Sequence, residues 1–162
     1  MRRVGGVESW ASLLAGSVAL VVAALAGVAT VALAAVGFAL LAVGVWRGVR
    51  TGITLGSLGL FLAVVLAGTV LPPLPTLLGG LGATVAWDAG HHARELDRQL
   101  GRESPSGAVE RRHLGYLLVV GAASVGLSYI GYLSVAGSLG PGSAVLLFVG
   151  TVALFVAFGR EF

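Results

Sequence analysis

The sequence contains no cysteine and no lysine. Without cysteine the chain forms no disulfide, binds no metal through thiolates and has no thiol nucleophile. Without lysine it cannot form a Schiff base with a carbonyl substrate. These absences exclude several classes of catalysis and leave imidazole, carboxylate and hydroxyl groups as the reactive side chains.

Asp, Glu, Arg and His are also missing from three long stretches, residues 11–46, 51–87 and 114–159. An apolar stretch longer than about 18 residues is typical of a transmembrane helix, because backbone polar groups in lipid must be paired within the helix. The mean hydropathy is +0.98 and only 10% of the residues are charged, against roughly a quarter in soluble proteins. We therefore predict an all-α fold, a polytopic integral membrane protein.

The apolar stretches predict a single transmembrane domain, residues 1–162, with six helices. As one helix, the run from Trp10 to Trp46 would measure about 55 Å, whereas the hydrocarbon core is about 30 Å thick. It must therefore reverse, and small residues favour a turn near Gly27. Prolines at 72, 73 and 75 end the third helix, and residues 137–142 form a turn before the last one. The predicted spans are approximately residues 10–26, 29–46, 53–71, 73–88, 114–136 and 143–159.

The arginines predict the orientation of these spans. All ten basic residues are arginine, and with six spans every one falls on the same side. Because basic residues in short loops prefer the cytoplasm, both termini are expected there, in a multi-pass protein of the cell membrane. This pattern explains the net charge of +3 as membrane anchoring, and we expect no nucleic-acid partner.

Most of the charged residues lie in one cytoplasmic amphipathic segment, residues 88–112. Arg94, Arg98 and Arg102 recur every four residues, so on a helix they form one basic stripe. Such a stripe contacts anionic lipid headgroups or a membrane-protein partner. The lipid bilayer is the expected environment. Small residues recur every four positions on the first span and again on the third, at Ala15, Ala19, Ala23 and Gly27 and at Gly52 and Gly56. Such stripes favour close packing between helices of one chain, and a homo-oligomer through them is a further candidate. The candidate docking or headgroup contacts are Trp87, Asp88, Arg94, Arg98 and Arg102.

The same segment offers two weak metal-ligand patterns. Asp88 with His92, and His91 with Glu95, are spaced four residues apart, which presents two ligands on one helical face. However, His91 and His92 point about 100° apart on a helix, so they do not readily join one site. An Asp at a helix end beside arginines is usually a structural partner. We therefore expect no catalytic residue, no metal ligand and no cofactor.

Three short motifs carry a family resemblance. They are Ala86-Trp87-Asp88-x-Gly90, Gln99-Leu100-Gly101-Arg102 and Glu110-x-x-His113. Together they resemble an uncharacterised family of haloarchaeal multi-pass membrane proteins, a domain of unknown function. The resemblance implies an integral membrane protein with no assigned activity. It also implies gene clusters with a MoxR-type ATPase and transglutaminase-like membrane proteins, which favours an accessory role.

Three functions remain open at this stage. The favoured one is a non-catalytic scaffold or accessory subunit of a membrane assembly, and not an enzyme. A small transporter or channel is the first alternative, although ion coupling normally uses ionisable groups within the spans, which here hold only Ser, Thr and Tyr. An interfacial lipid-modifying enzyme, acting through Asp88 and His91 or His92, is the second.

Overall fold

The computed structural model describes residues 6–99 and 107–136, and these residues form five α-helices and no strand. The all-α class is therefore confirmed for the described ranges. The chain divides into two compact units after Tyr129, and the second unit is described only at residues 130–136. The helices are α1 (Val7–Ala26), α2 (Val28–Arg47), α3 (Arg50–Ala67), α4 (Pro73–Gln99) and α5 (Gly107–Val135).

Two glycines form the sharp connections between the first three helices. Gly27, between α1 and α2, has φ 142°, and Gly48, after α2, has the left-handed conformation with φ 59°. Residues with a Cβ rarely adopt either conformation. The hydroxyl of Thr30 strengthens the first turn, because it donates to the carbonyl of Ala23 at 2.7 Å across the reversal. The first long apolar run thus reverses direction at Gly27.

Prolines mark the start of α4. Pro73 is its first residue, where the missing N–H costs no intrahelical hydrogen bond. From there the helix runs without interruption to Gln99. The predicted fourth span and the first part of the predicted cytoplasmic segment are therefore one continuous helix. This continuity fixes the positions of the polar residues after Asp88 relative to the apolar part of α4.

Helices α2 and α3 pack so closely that their backbones touch. A Cβ on Gly37 would lie 2.8 Å from the backbone nitrogen of Leu60, and one on Gly52 would lie 2.8 Å from the Cα of Gly44. Helices without a hydrophobic driving force between them associate through such small-residue contacts. The predicted Gly52 and Gly56 pair is thus used inside the fold.

Helix α1 packs mainly against α4 in the same way. Ala19 and Ala23 on α1 are fully buried, and a Cβ on Gly82 of α4 would lie 2.7 Å from the carbonyl oxygen of Ala15. The alanine stripe of α1 therefore faces a neighbouring helix of the same chain. Larger side chains, chiefly Leu41, Ile53 and Leu60, fill the centre of the bundle.

Much of the apolar surface remains uncovered. Among the described residues, four helical segments are long and apolar enough to cross a membrane: α1, α2, α3 and Glu110–Ser134 in α5. Only 22% of the most apolar stretch of α2 and 39% of that of α3 is buried. Exposing so many large apolar side chains to water would cost about 1.5–3 kcal/mol each, so the surface suits a lipid environment. The count of six spans and the orientation stay predictions, and the sixth span lies outside the described residues.

Candidate functional site

Five ionisable side chains from three helices meet where α1 and α5 begin. Glu8 lies in the first turn of α1. Asp88 and His92 are four residues apart on α4, and Glu110 and His113 are three apart on α5, so each pair shares a helical face. We call Glu8, Asp88, His92, Glu110 and His113 the polar cluster.

The strongest contact in the polar cluster joins α1 to α4. Nδ1 of His92 lies 2.7 and 2.8 Å from the two carboxylate oxygens of Glu8. Glu8 is fully buried, whereas the His92 side chain is 31% exposed. A carboxylate removed from water needs a hydrogen-bond donor or an opposite charge. The Nδ1–H of His92 provides that donor, from a residue 84 positions away in the chain.

A second carboxylate–imidazole pair joins α4 to α5. Nε2 of His113 lies 2.8 Å from Oδ2 of Asp88, and both side chains are half-buried. The ring of His113 also stacks on the ring of His92, with the centroids 3.9 Å apart and the planes inclined by 18°. Two carboxylate–imidazole pairs thus lie face to face.

Glu110 connects α5 to the start of α1. Its carboxylate accepts a hydrogen bond from the backbone N–H of Glu8 at 3.4 Å, and it is almost completely buried. The first N–H groups of a helix have no intrahelical acceptor, and negative charge is favourable there. Glu110 therefore supplies from another helix the capping interaction that Gly6, the residue preceding α1, does not provide.

A close contact between α1 and α4 lies one turn further along. The hydroxyl of Ser12 is fully buried and donates to the carbonyl oxygen of Ala86 at 2.6 Å. A Cβ on Gly90 would lie 3.1 Å from the Ser12 Oγ. Gly90 therefore lets Ser12 approach α4, and this contact holds Glu8 and His92 in register.

The candidate docking residues occupy different environments. Trp87 is exposed, and its ring lies 4.9 Å from the ring of His91. Asp88 belongs to the polar cluster. Nε of Arg94 donates to the carbonyl oxygen of Gly48 at 3.0 Å, which puts a cation at the carboxyl end of α2 where the helix dipole favours it. The side chain of Arg98 and all of Arg102 lie outside the described part of the chain.

His91 takes no part in the polar cluster. Its Nε2 lies 3.3 Å from the hydroxyl of Thr54 on α3, and its Nδ1 lies 2.9 Å from the carbonyl oxygen of Trp87. The two adjacent histidines thus face different helices, as the 100° difference on a helix requires. His91 is consequently a matched control for His92.

The arrangement provides both acid–base groups and metal ligands. Glu8, His92 and His113 can each offer one ligand atom, and these atoms all lie within 4.8 Å of one another. The local spacing pairs Asp88 with His92 and connects neither of them with Glu8 or Glu110. The order of the predicted spans does contain a signal. Glu8 precedes the first span, Asp88 ends the fourth and His92 follows it, and Glu110 and His113 precede the fifth. In a bundle that alternates direction, these positions share one end.

Comparison with known proteins places the chain in a family without an assigned activity. The sequence pattern of DUF7519, a family of unknown function, matches residues 2–155. The chain is a DUF7519 protein. No curated protein and no solved structure matches it. The predicted membership of a domain of unknown function is thus confirmed, whereas the haloarchaeal origin stays a prediction. The matched part of this DUF7519 protein includes the whole polar cluster.

Proposed function

We propose that this chain is a multi-pass protein of the cell membrane with its arginine-rich loops in the cytoplasm. The observation that supports membrane insertion is the uncovered apolar surface of four helices. On α1, for example, the exposed side chains of Val18, Val21 and Leu25 lie at successive turns. Lipid chains are the environment in which such a surface carries no penalty.

Single cysteines test this topology, because the natural chain has none. Three exposed valines lie in or beside connections between helices: Val28, Val49 and Val70. In separate Val→Cys variants, a membrane-impermeant maleimide should label the cysteine at 49 only from the cytoplasmic side. The cysteines at 28 and 70 should be labelled only from the opposite side. Labelling of all three from one side of sealed vesicles would refute the multi-pass arrangement.

Within the membrane, the proposed role is that of a non-catalytic scaffold or accessory subunit. The supporting observation is that the polar cluster is engaged in contacts between helices of the same chain. Glu8 pairs with His92, Asp88 pairs with His113, and Glu110 accepts from the backbone of Glu8. These contacts join α1, α4 and α5, which makes the cluster a connector of helices. The arginine stripe of the cytoplasmic segment is the proposed contact for a partner protein or for anionic headgroups.

Co-purification from native membranes tests the accessory role. A tagged chain, extracted in mild detergent, should bring one membrane protein in a fixed ratio. Replacing Arg98 and Arg102 with glutamine should abolish that recovery, because the proposed contact is electrostatic. Replacing the exposed Arg111 and Arg112 on α5 with glutamine is the matched control, because it changes the net charge equally. This control should leave recovery of the partner unchanged. If the chain is recovered alone and does not bind anionic vesicles either, the accessory role is refuted.

The polar cluster also favours a second candidate function, an interfacial lipid-modifying enzyme. Adjacent carboxylates and imidazoles are the usual groups for proton transfer at neutral pH. Asp88→Asn would then abolish lipid turnover by purified protein while the co-purifying partner, if any, is retained. Transport has no comparable support, because the Asp, Glu, Arg and His residues of the described ranges lie outside the predicted spans, apart from Asp88 at the end of the fourth.

A further inference from the structure

We propose that Glu8, His92 and His113 bind a divalent first-row transition metal ion, and we take Zn²⁺ as the ion for the tests. The inference goes beyond the scaffold role and does not depend on it. Its basis is the convergence of one buried carboxylate and two imidazoles from three separate helices. Because each residue lies on a different helix, local helical spacing explains none of the contacts among them.

The donor set determines the class of ion. Two imidazoles with one carboxylate suit zinc, copper, nickel or ferrous iron, whereas Mg²⁺ and Ca²⁺ prefer oxygen ligands. Three protein ligands leave a fourth tetrahedral position for water or a substrate atom. The chain has no thiolate that would bind such an ion elsewhere.

The distances are compatible with coordination after small side-chain movements. Ligand bonds of about 2.0–2.1 Å place tetrahedral ligand atoms about 3.3 Å apart. The Glu8–His92 contact of 2.7 Å therefore opens by about 0.6 Å as the ion replaces the shared proton. The third ligand atom, now within 4.8 Å of the others, moves closer.

Coordination also changes the stacking of the two imidazoles. A metal ion lies in the plane of each imidazole that binds it, because the nitrogen lone pair lies in that plane. The planes of His92 and His113 are nearly parallel, with centroids 3.9 Å apart, so one ion cannot lie in both. The His113 ring must therefore turn out of the stack when the ion binds.

Asp88 has the position of an outer-shell partner. Metal-binding histidines usually donate their second ring N–H to a carboxylate, which fixes the tautomer and the ring orientation. Asp88 already holds Nε2 of His113 at 2.8 Å, and this leaves Nδ1 as the nitrogen for the ion. Loss of such a partner typically weakens metal binding 10–100-fold.

Metal binding to the full chain in detergent is the direct experiment. The protein should carry a tag without histidine and be treated with a chelator before titration with Zn²⁺ and, separately, with Mg²⁺. We expect uptake of about one Zn²⁺ per chain, a higher unfolding temperature with Zn²⁺, and no effect of Mg²⁺ at the same concentration. Wild-type protein that takes up no Zn²⁺ would overturn the proposal, whatever the variants do.

Three variants locate the site. His113→Asn should abolish stoichiometric Zn²⁺ binding, Asp88→Asn should weaken it 10–100-fold, and His91→Asn should leave it unchanged. Co²⁺ substitution gives a second readout, since tetrahedral Co²⁺ has intense visible absorption that His113→Asn should remove. Equal losses in His91→Asn and His113→Asn, with both proteins eluting as folded monodisperse species, would place the ion elsewhere and refute the assignment. If His113→Asn does not fold, the Co²⁺ spectrum of the wild type decides, and an octahedral spectrum refutes tetrahedral coordination.

Discussion

Substitution of Gly56 by alanine should loosen the contact between α2 and α3. A Cβ at Gly56 would meet the backbone nitrogen of Leu41 first, and it would lie 2.6 Å from the Cα of Leu41 and 2.7 Å from the carbonyl oxygen of Gly37. Ordinary contact begins at 3.4 Å, so the helices would have to separate by about 1 Å. All three obstructing atoms belong to the backbone, and no side-chain rotation relieves the clash.

The expected cost follows from the behaviour of overpacked interiors. Inserting a methyl group into a close-packed contact typically costs about 1–3 kcal/mol. For a chain of this size, each kcal/mol shifts the unfolding temperature by about 2–4 °C, which gives a decrease of about 2–12 °C for Gly56→Ala. The offsetting gain in helix propensity from Gly to Ala is at most about 1 kcal/mol.

Gly80→Ala is the matched control, because in the described part of the chain no atom outside its own helical turns lies within 4 Å of the position that its Cβ would occupy. The same substitution in α4 should therefore leave the unfolding temperature unchanged or raise it slightly. Both variants can be compared by heating detergent-solubilised protein at one scan rate and measuring the monodisperse fraction by size-exclusion chromatography. If Gly56→Ala is as stable as Gly80→Ala, the described packing of α2 on α3 is wrong.

The remaining predictions concern the polar contacts and use the same stability measurement. Glu8→Ala should lower stability by about 1.5–3 kcal/mol through loss of its charged hydrogen bonds, and Glu8→Gln should cost less; equal stability of Glu8→Ala and wild type would contradict the burial of this carboxylate. Ser12→Ala should cost about 0.5–1.5 kcal/mol, since the hydroxyl donates to Ala86 in the interior; a more stable variant would argue against that bond. Arg94→Gln should cost about 0.3–1 kcal/mol, an effect that salt reduces; a salt-independent loss would indicate lost packing instead.

Hydropathy was sufficient to predict the helical class, because an uninterrupted apolar run has only one way to satisfy its backbone in lipid. Glycine and proline also marked the connections. Gly27 lies where the first long run reverses, and Pro73 begins α4. The stripe of small residues on α1 and the Gly52 and Gly56 pair predicted close helix contacts, and in the described residues both stripes pack against helices of the same chain.

The pairing within the polar cluster was not predictable from local spacing. Asp88 and His92 are four residues apart and therefore face the same way, which suggested a site made by the two of them. Residues on one helical face, however, contact the neighbouring helices that pack against that face, and need not contact each other. His92 meets the buried Glu8 of α1, and Asp88 meets His113 of α5. Which helix packs against which face depends on contacts between residues far apart in the sequence, and the spacing of residues within one helix does not predict those contacts.

The proposed topology puts the polar cluster and the arginines on the same side of the membrane, for one reason. In a bundle of alternating direction, the starts of odd helices and the ends of even helices share an end. The contact of Arg94 shows that these helix ends lie together. Arg94 follows His92 by two residues, and its side chain reaches Gly48 between α2 and α3. The cluster contains three carboxylates and two imidazoles, so the proposed divalent cation would add positive charge there. Removing that cation should make stability more sensitive to the loss of Arg94, a coupling that a comparison of wild type and Arg94→Gln, each with and without Zn²⁺, would measure.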